Sequence, residues 1–221
     1  MNTPGQNSNA VAELALGMMV FQARGQFNGK AGTELKDKTL GIHAYGHVGR
    51  LVAKIAKGFG MHISAYDPFL KAEEIEAEGV TAIESAEALY ANNQYISLHI
   101  PANAKTKQSI DYNLLSKMPQ NAVLVNTARK EVIHEEEMVK LMETREDFTY
   151  ISDIAPDNAA VFAEKFPGRY FFTPKKMGAQ TREANVGAGV AAANQIVAFF
   201  QHGDKTRSEE HTSELQSLSH I

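Results

Sequence analysis

Thr39-Leu40-Gly41-Ile42-His43-Ala44-Tyr45-Gly46-His47-Val48-Gly49-Arg50, followed by Ile63-Ser64-Ala65-Tyr66-Asp67-Pro68, sets the architecture of this chain. It reads as an apolar strand, a glycine turn, a helix, a second short strand, and an acid at that strand's end. Glycines at the turn and an acid about 20 residues further on are the spacing of a βαβ unit that holds a dinucleotide. Gly46 lets the backbone approach a pyrophosphate with no Cβ in the way, and Gly49 lets the helix pack close to the strand. A helix starting near His47 offers unpaired N–H groups and a positive dipole end to the phosphates. Asp67 is placed to accept hydrogen bonds from both ribose hydroxyls and to repel a 2′-phosphate, which favours NAD over NADP. The first glycine position of the strict pattern is Ala44, the smallest change available there. The plainer alternative is an ordinary βα turn with no nucleotide.

Outward from this unit, strand and helix signals alternate. Strands are expected near residues 39–44, 62–66, 94–100, 122–126, 149–153 and 170–172, with a weak one near Val80. Helices are expected near 47–58, 70–78, 84–90, 111–117, 134–145, 159–165 and 181–202. An earlier helix over 8–24 carries Val11, Leu14, Ala15, Met18, Met19 and Phe21 at helical spacing, with Ser8 or Asn9 as its cap. The glycine-rich stretch 25–38 reads as a loop. Such alternation predicts an open, doubly wound α/β (Rossmann) parallel sheet. Folds of this kind bind ligands beyond the strand C-termini, where His99-Ile100-Pro101 and Asn126-Thr127-Ala128-Arg129 lie.

The chain has 221 residues, 43% of them hydrophobic and 22% charged, an ordinary globular composition that suffices for a full core. A net charge of −4 without a long basic run argues against nucleic acid or an anionic membrane as a partner. With no cysteine there is neither a disulfide framework nor a thiolate metal site, which fits a reducing cytoplasm. No secretory signal pattern or membrane-spanning apolar run is read in the sequence. The run Glu135-Glu136-Glu137 after His134 is the acidic first turn of a helix rather than a metal site. His43 and His62 are read as structural. From Arg207 the sequence loses all apolar period and resembles a translated sequencing-library adapter, so 205–221 are expected to be a non-native or disordered tail.

The residues also carry a resemblance. Asn9-Ala-Val-Ala-Glu-Leu-Ala15, the glycine turn with Asp67, Leu98-His-Ile-Pro-Ala102, Val125-Asn-Thr-Ala-Arg129 and Phe172-Thr-Pro-Lys-Lys-Met-Gly-Ala-Gln-Thr181 resemble, in order, the signatures of the D-2-hydroxyacid dehydrogenases. The resemblance covers residues 1–204. It implies an NAD-binding domain over 25–204, a first helix within 1–24 used for dimerisation, and a split substrate domain missing from this chain. The cofactor positions it implies are Tyr45, Gly46, His47, Val48, Gly49, Asp67, Pro68, His99, Pro101, Thr106, Asn126, Thr127, Ala128 and Asp153, the last facing the nicotinamide carboxamide.

The catalytic positions it implies are Arg129, Lys175 and Asp157, with no metal. Arg129 would bind the substrate carboxylate bidentately and polarise the carbonyl. The family usually has glycine after this arginine, and here it is Lys130. The family also usually has a histidine directly after Thr-Pro as general acid/base; here Lys175 stands there, and a lysine can serve if burial or a nearby cation lowers its pKa. The alternative is a phosphate-binding or solvated lysine. The carboxylate that supports the family's histidine has no clean match, and Asp157 is the nearest one.

The implied activity is NAD-dependent oxidation of a phosphorylated 2-hydroxy acid, 3-phosphoglycerate. Its rivals are reduction of hydroxypyruvate or glyoxylate, and an inactive NAD-binding, corepressor-like module. A homodimer is expected through the 8–24 helix, because Met18, Met19 and Phe21 would otherwise be an exposed apolar face. This chain alone is expected to be inactive.

Overall fold

The computed structural model describes residues 3–206; most of the expected tail lies outside the described residues. Seven strands form one sheet: β1 (Thr39–His43), β2 (His62–Tyr66), β3 (Thr81–Ala82), β4 (Tyr95–Leu98), β5 (Val123–Asn126), β6 (Thr149–Ser152) and β7 (Tyr170–Phe172). Their order is β3-β2-β1-β4-β5-β6-β7, and every pairing is parallel. The helices are α1 (Ser8–Ala23), α2 (His47–Gly58), α3 (Ala72–Glu76), α4 (Ala86–Asn92), α5 (Tyr112–Leu115), α6 (Glu135–Thr144), α7 (Ala159–Lys165) and α8 (Arg182–His202).

The chain winds outward from β1 to β3, then crosses back to β4 on β1's other side. The crevice between β1 and β4 is therefore the topological switch point, at which sheets of this kind bind ligands. Both sheet faces are covered, so β4 and β5 are buried at every position. Alternation along each strand separates two cores. Leu40, Ile42, Val123, Val125 and Ile151 pack under α1 and α2, while Leu89, Ile96, Leu98, Leu124 and Tyr150 pack with Met138, Leu141 and Phe162 on the opposite face. Gly41 faces that second core, where a Cβ would lie 2.6 Å from Ile96 Cδ1.

The expected elements are present with trimmed ends. The 70–78 and 111–117 helices contract to α3 and α5, and the weak strand near Val80 forms as β3. Ser85, Asp111 and Thr181 cap α4, α5 and α8, each side chain accepting a backbone N–H three residues on. The cap of α1 is Asn7, not Ser8 or Asn9, and it makes no side-chain capping bond.

One expectation is overturned. Met18 and Met19 are not an exposed face: they are 2% and 0% exposed, inside the core that α1 shares with α2. Phe21 is half-buried, edge-on to Phe27 at 5.1 Å and Phe171 at 4.8 Å. The physical ground for a dimer through this face is therefore gone; α1 spends its apolar stripe within its own chain. Exposed apolar side chains include Phe69 and Phe27 in loops and short turns and, on α8, Val186, Val190, Ile196, Val197 and Phe200. No helix among the described residues is long and apolar enough to cross a membrane. Met19→Ala should cost about 2–5 kcal/mol in a urea melt, the range for truncating a fully buried methionine; a cost below about 0.5 kcal/mol, as at a surface position, would return α1 to the surface.

Candidate active site

The glycine turn between β1 and α2 is held by backbone and side-chain contacts on three sides. Ala44 has φ +75°, in the left-handed region, where the strict pattern places its first glycine. For an alanine this conformation costs about 1–2 kcal/mol. Its N–H still donates to the Tyr66 carbonyl at 2.9 Å, tying the turn to β2. A Cβ on Gly49 would lie 2.5 Å from the Ala44 carbonyl oxygen and 3.0 Å from Ile42 Cγ2, so only glycine lets α2 approach β1 this closely. A Cβ on Gly46, by contrast, would meet no atom within 4 Å. That open side is the helix N-terminus, which no side chain caps, so its first N–H groups face the crevice.

Asp67 lies just beyond β2. One carboxylate oxygen accepts from the Tyr45 N–H and the other from the Phe69 N–H, each at 2.9 Å. Every oxygen keeps a lone pair for a hydroxyl. Asp67 and Pro68 border a hollow of about 480 Å³ with Tyr66, Ile83 and Glu84. Its acidic rim is suited to a ribose and unsuited to a further phosphate.

On the other side of the glycine turn, Val48, His99, Pro101, Thr127, Arg129 and Lys176 line a cavity of about 450 Å³. Thr127 Oγ1 is buried there without a hydrogen-bond partner, an orphan that a bound ligand would satisfy. With the uncapped helix, the open Gly46 face and the Asp67 carboxylate, these residues fit a dinucleotide laid across the switch point. The turn after β5 is shaped by Asn126, which accepts from the Ala128 N–H and donates to the Arg129 carbonyl, both at 3.0 Å. Asn126 is thus a turn-former beneath the cavity. Thr106 plays a similar part, donating to the Pro101 carbonyl at 2.5 Å. His47 is exposed beside Gly5.

The two cations of the cavity converge on one carbonyl. Arg129 Nη1 donates to the Ala128 oxygen at 2.9 Å, and Lys176 Nζ donates to the same oxygen at 2.7 Å. Burial lowers the Lys176 pKa and the Arg129 charge lowers it further, with Asp153 and Glu131 opposing. The loop carrying Lys176 is fastened by Asp153, which is 1% exposed. Its Oδ1 accepts from the Met177 N–H at 3.0 Å and its Oδ2 from the Gly178 N–H at 2.7 Å. The Thr173 hydroxyl lies 3.0 Å from both Asp153 Oδ1 and the Lys175 carbonyl, and donates to one at a time. A Cβ on Gly178 would lie 2.8 Å from Asp153 Oδ2.

Three residues singled out in the sequence sit elsewhere than expected. Both lysines of the doublet are exposed, but Lys176 lines the cavity and Lys175 does not. The loop that carries this lysine doublet is held by Asp153 through the Met177 and Gly178 N–H groups, which sets Lys176 at the cavity wall. Asp157 pairs with Lys130 at 2.5 Å, in a separate polar groove of about 770 Å³ with Glu135 and His134. It is not beside Lys176. Asp153 spends its oxygens on the loop rather than in the cavity. Among the described residues no three potential ligands gather as a metal site.

The resemblance read in the sequence meets independent findings. Residues 13–166 match the family model for the NAD-binding domain of the D-isomer-specific 2-hydroxyacid dehydrogenases. This chain belongs to that family. The NAD+-bound 3-phosphoglycerate dehydrogenase of Entamoeba histolytica superposes with a TM-score of 0.85 at 49% identity, covering 92% of this chain and 65% of that one. The D-3-phosphoglycerate dehydrogenase of Methanocaldococcus jannaschii is 33% identical over 214 residues, 89% of this chain and 40% of its own length. The glyoxylate reductase of Thermococcus litoralis is 30% identical over 218 residues, 90% of this chain and 66% of its own. The chain thus spans about two fifths to two thirds of these dehydrogenases' lengths. NAD is the cofactor of this family domain.

Two neighbouring histidines, the partly buried His99 on the cavity wall and the buried His43 of β1, were marked differently by the sequence, His43 as structural and His99 as a cofactor position. His43 Nδ1 is 3.2 Å from the Tyr90 hydroxyl, and His99 Nε2 is 3.0 Å from Ser97 Oγ. Burial lowers His43 to about 4, against the pull of Asp67, and lowers His99 to about 3 with help from His43. Both folded values lie below the unfolded value near 6.5. The unfolded chain therefore binds more protons as pH falls below about 6.5, and stability falls with it, by up to about 1.4 kcal/mol per pH unit for each histidine. Urea midpoints measured between pH 7 and 5 should show this decline, and His43→Gln should reduce its slope by about half. A flat profile over that window would mean that the two rings protonate in the folded state.

Proposed function

We propose that these residues are the nucleotide-binding part of an enzyme that oxidises 3-phosphoglycerate to its 2-keto acid with NAD. The observation that carries this reading is the convergence of Arg129 and Lys176 on the Ala128 carbonyl at the cavity wall. The glycine turn and Asp67 would hold NAD, which would supply the hydride acceptor. Arg129 offers a planar fork that fixes a substrate carboxylate and holds the 2-hydroxyl carbon in line. Lys176 accepts the hydroxyl proton through its neutral amine, a form that burial and the Arg129 charge make more accessible. Asp153 positions that amine by fastening Met177 and Gly178 beneath it. Lys175 and Asp157 have no part in this scheme: one is solvated, the other neutralised by Lys130.

Identity of 49% with the Entamoeba histolytica enzyme supports a phosphorylated substrate. The likeness to a glyoxylate reductase supports the second reading, reduction of glyoxylate or hydroxypyruvate, which would run the same two cations in the opposite direction. A purely nucleotide-sensing module needs no proton carrier, and a lysine held in the cavity speaks for chemistry. Because the chain spans only part of its relatives' length, the test belongs in a full-length dehydrogenase carrying this sequence. There, kcat/KM for 3-phosphoglycerate should exceed that for glyoxylate and hydroxypyruvate, and the reverse order would favour the reductase reading. Lys176→Ala should lower kcat by about a hundredfold or more, while Lys175→Ala should leave it within about twofold, the near-neutral outcome of most solvated positions. The opposite pattern would return the proton to Lys175.

A further inference from the structure

We propose that Tyr45, Glu78 and Arg50 form a clamp that holds the glycine turn in its nucleotide-accepting shape and so compensates for the alanine at position 44. The proposal rests on the reading of this turn as the cofactor's phosphate cradle. Tyr45 follows the strained Ala44 directly and precedes the open Gly46, yet it is only 1% exposed. It is pinned at both ends. Its backbone N–H donates to Asp67 Oδ2 at 2.9 Å, and its hydroxyl donates to Glu78 Oε2 at 3.0 Å.

Glu78 lies between α3 and β3, outside the nucleotide unit's own strand–turn–helix. Its other carboxylate oxygen pairs with Arg50 of α2, and its backbone carbonyl accepts from Lys57, near the far end of α2. The Arg50 guanidinium lies 5.0 Å over the Tyr45 ring and closes the slot from above. The ring is thereby fixed against α2 and against the turn before β3 at once.

The coupling to Ala44 follows from chain geometry. An alanine left to itself relaxes from φ +75° to negative φ, and that relaxation rotates the peptide joining it to Tyr45. The Tyr45 N–H would then leave Asp67 and the ring would leave its slot. Every clamp contact must break before the turn can relax. A glycine in the same place would need no such restraint, because positive φ costs it little. Tyr45, Glu78 and Arg50 are thus positioning residues for the cofactor, and none of them touches the reacting atoms.

The test is a coupling measurement on the full chain with four proteins: the parent, Ala44→Gly, Tyr45→Phe and the double variant. NADH is titrated by fluorescence, and thermal midpoints are recorded without nucleotide. Tyr45→Phe keeps the ring and loses the hydroxyl. It should raise the NADH Kd about fivefold beside Ala44 and less than about twofold in the Ala44→Gly background. The drop it causes in melting midpoint should likewise shrink in the Ala44→Gly background. Glu78→Ala, which removes both the acceptor for the hydroxyl and the partner of Arg50, should raise the Kd at least as much as Tyr45→Phe. Equal losses in both backgrounds, or no loss beside Ala44, would overturn the clamp. The melting arm needs no nucleotide. Failure of every protein to bind NADH would count against the cofactor reading, and the melts alone would then decide the clamp.

Discussion

The close approach of α2 to β1 at Gly49 is the constraint on which the rest of this structure depends. With no Cβ between the helix and the Ala44 carbonyl, α2 starts immediately after the strand and points its uncapped N–H groups into the crevice between β1 and β4. Sheet order makes that crevice: β2 and β3 lead away on one side and β4 to β7 on the other. The strand ends beside it carry Asp67, His99, Thr127 and Arg129. A helix held further from the sheet would lose the alignment of its first turn with all of them.

The second organising interaction is a buried carboxylate used as a fastener. Asp153 takes backbone N–H groups from Met177 and Gly178, and the Thr173 hydroxyl lies within reach. Such charge-assisted bonds in a nearly dry site are among the stronger ones available to a protein. Their result is positional: the residue just before the pinned pair, Lys176, is delivered to the Ala128 carbonyl beside Arg129. Two cations sharing one acceptor in a partly buried place lower the lysine's affinity for its proton.

Much of the fold was legible because its signals are local. Glycine placement, the acid after β2 and the apolar runs of β4 and β5 follow from short-range sterics and from burial on both sheet faces. What sequence could not resolve depended on contacts between distant segments. The Lys175–Lys176 doublet is two identical side chains until Asp153 fixes the loop's phase. Asp157 appeared as the nearest carboxylate by counting, but it pairs with Lys130 in another groove. Met18 and Met19 carry the same apolar stripe whether a partner or α2 covers it, and spacing alone does not distinguish the two. Glu78 gave no signal at all, since its meaning depends on a tyrosine 33 residues earlier in the chain.

Every role proposed for these residues depends on a dinucleotide lying across the switch point with its ribose at Asp67. The most direct test is a parallel fluorescence titration of this chain with NADH and NADPH. Saturable NADH binding, with NADPH at least about tenfold weaker because Asp67 and the acidic rim at Glu84 repel its extra phosphate, is the predicted result. Equal or tighter binding of NADPH, or no binding of either nucleotide, would contradict it.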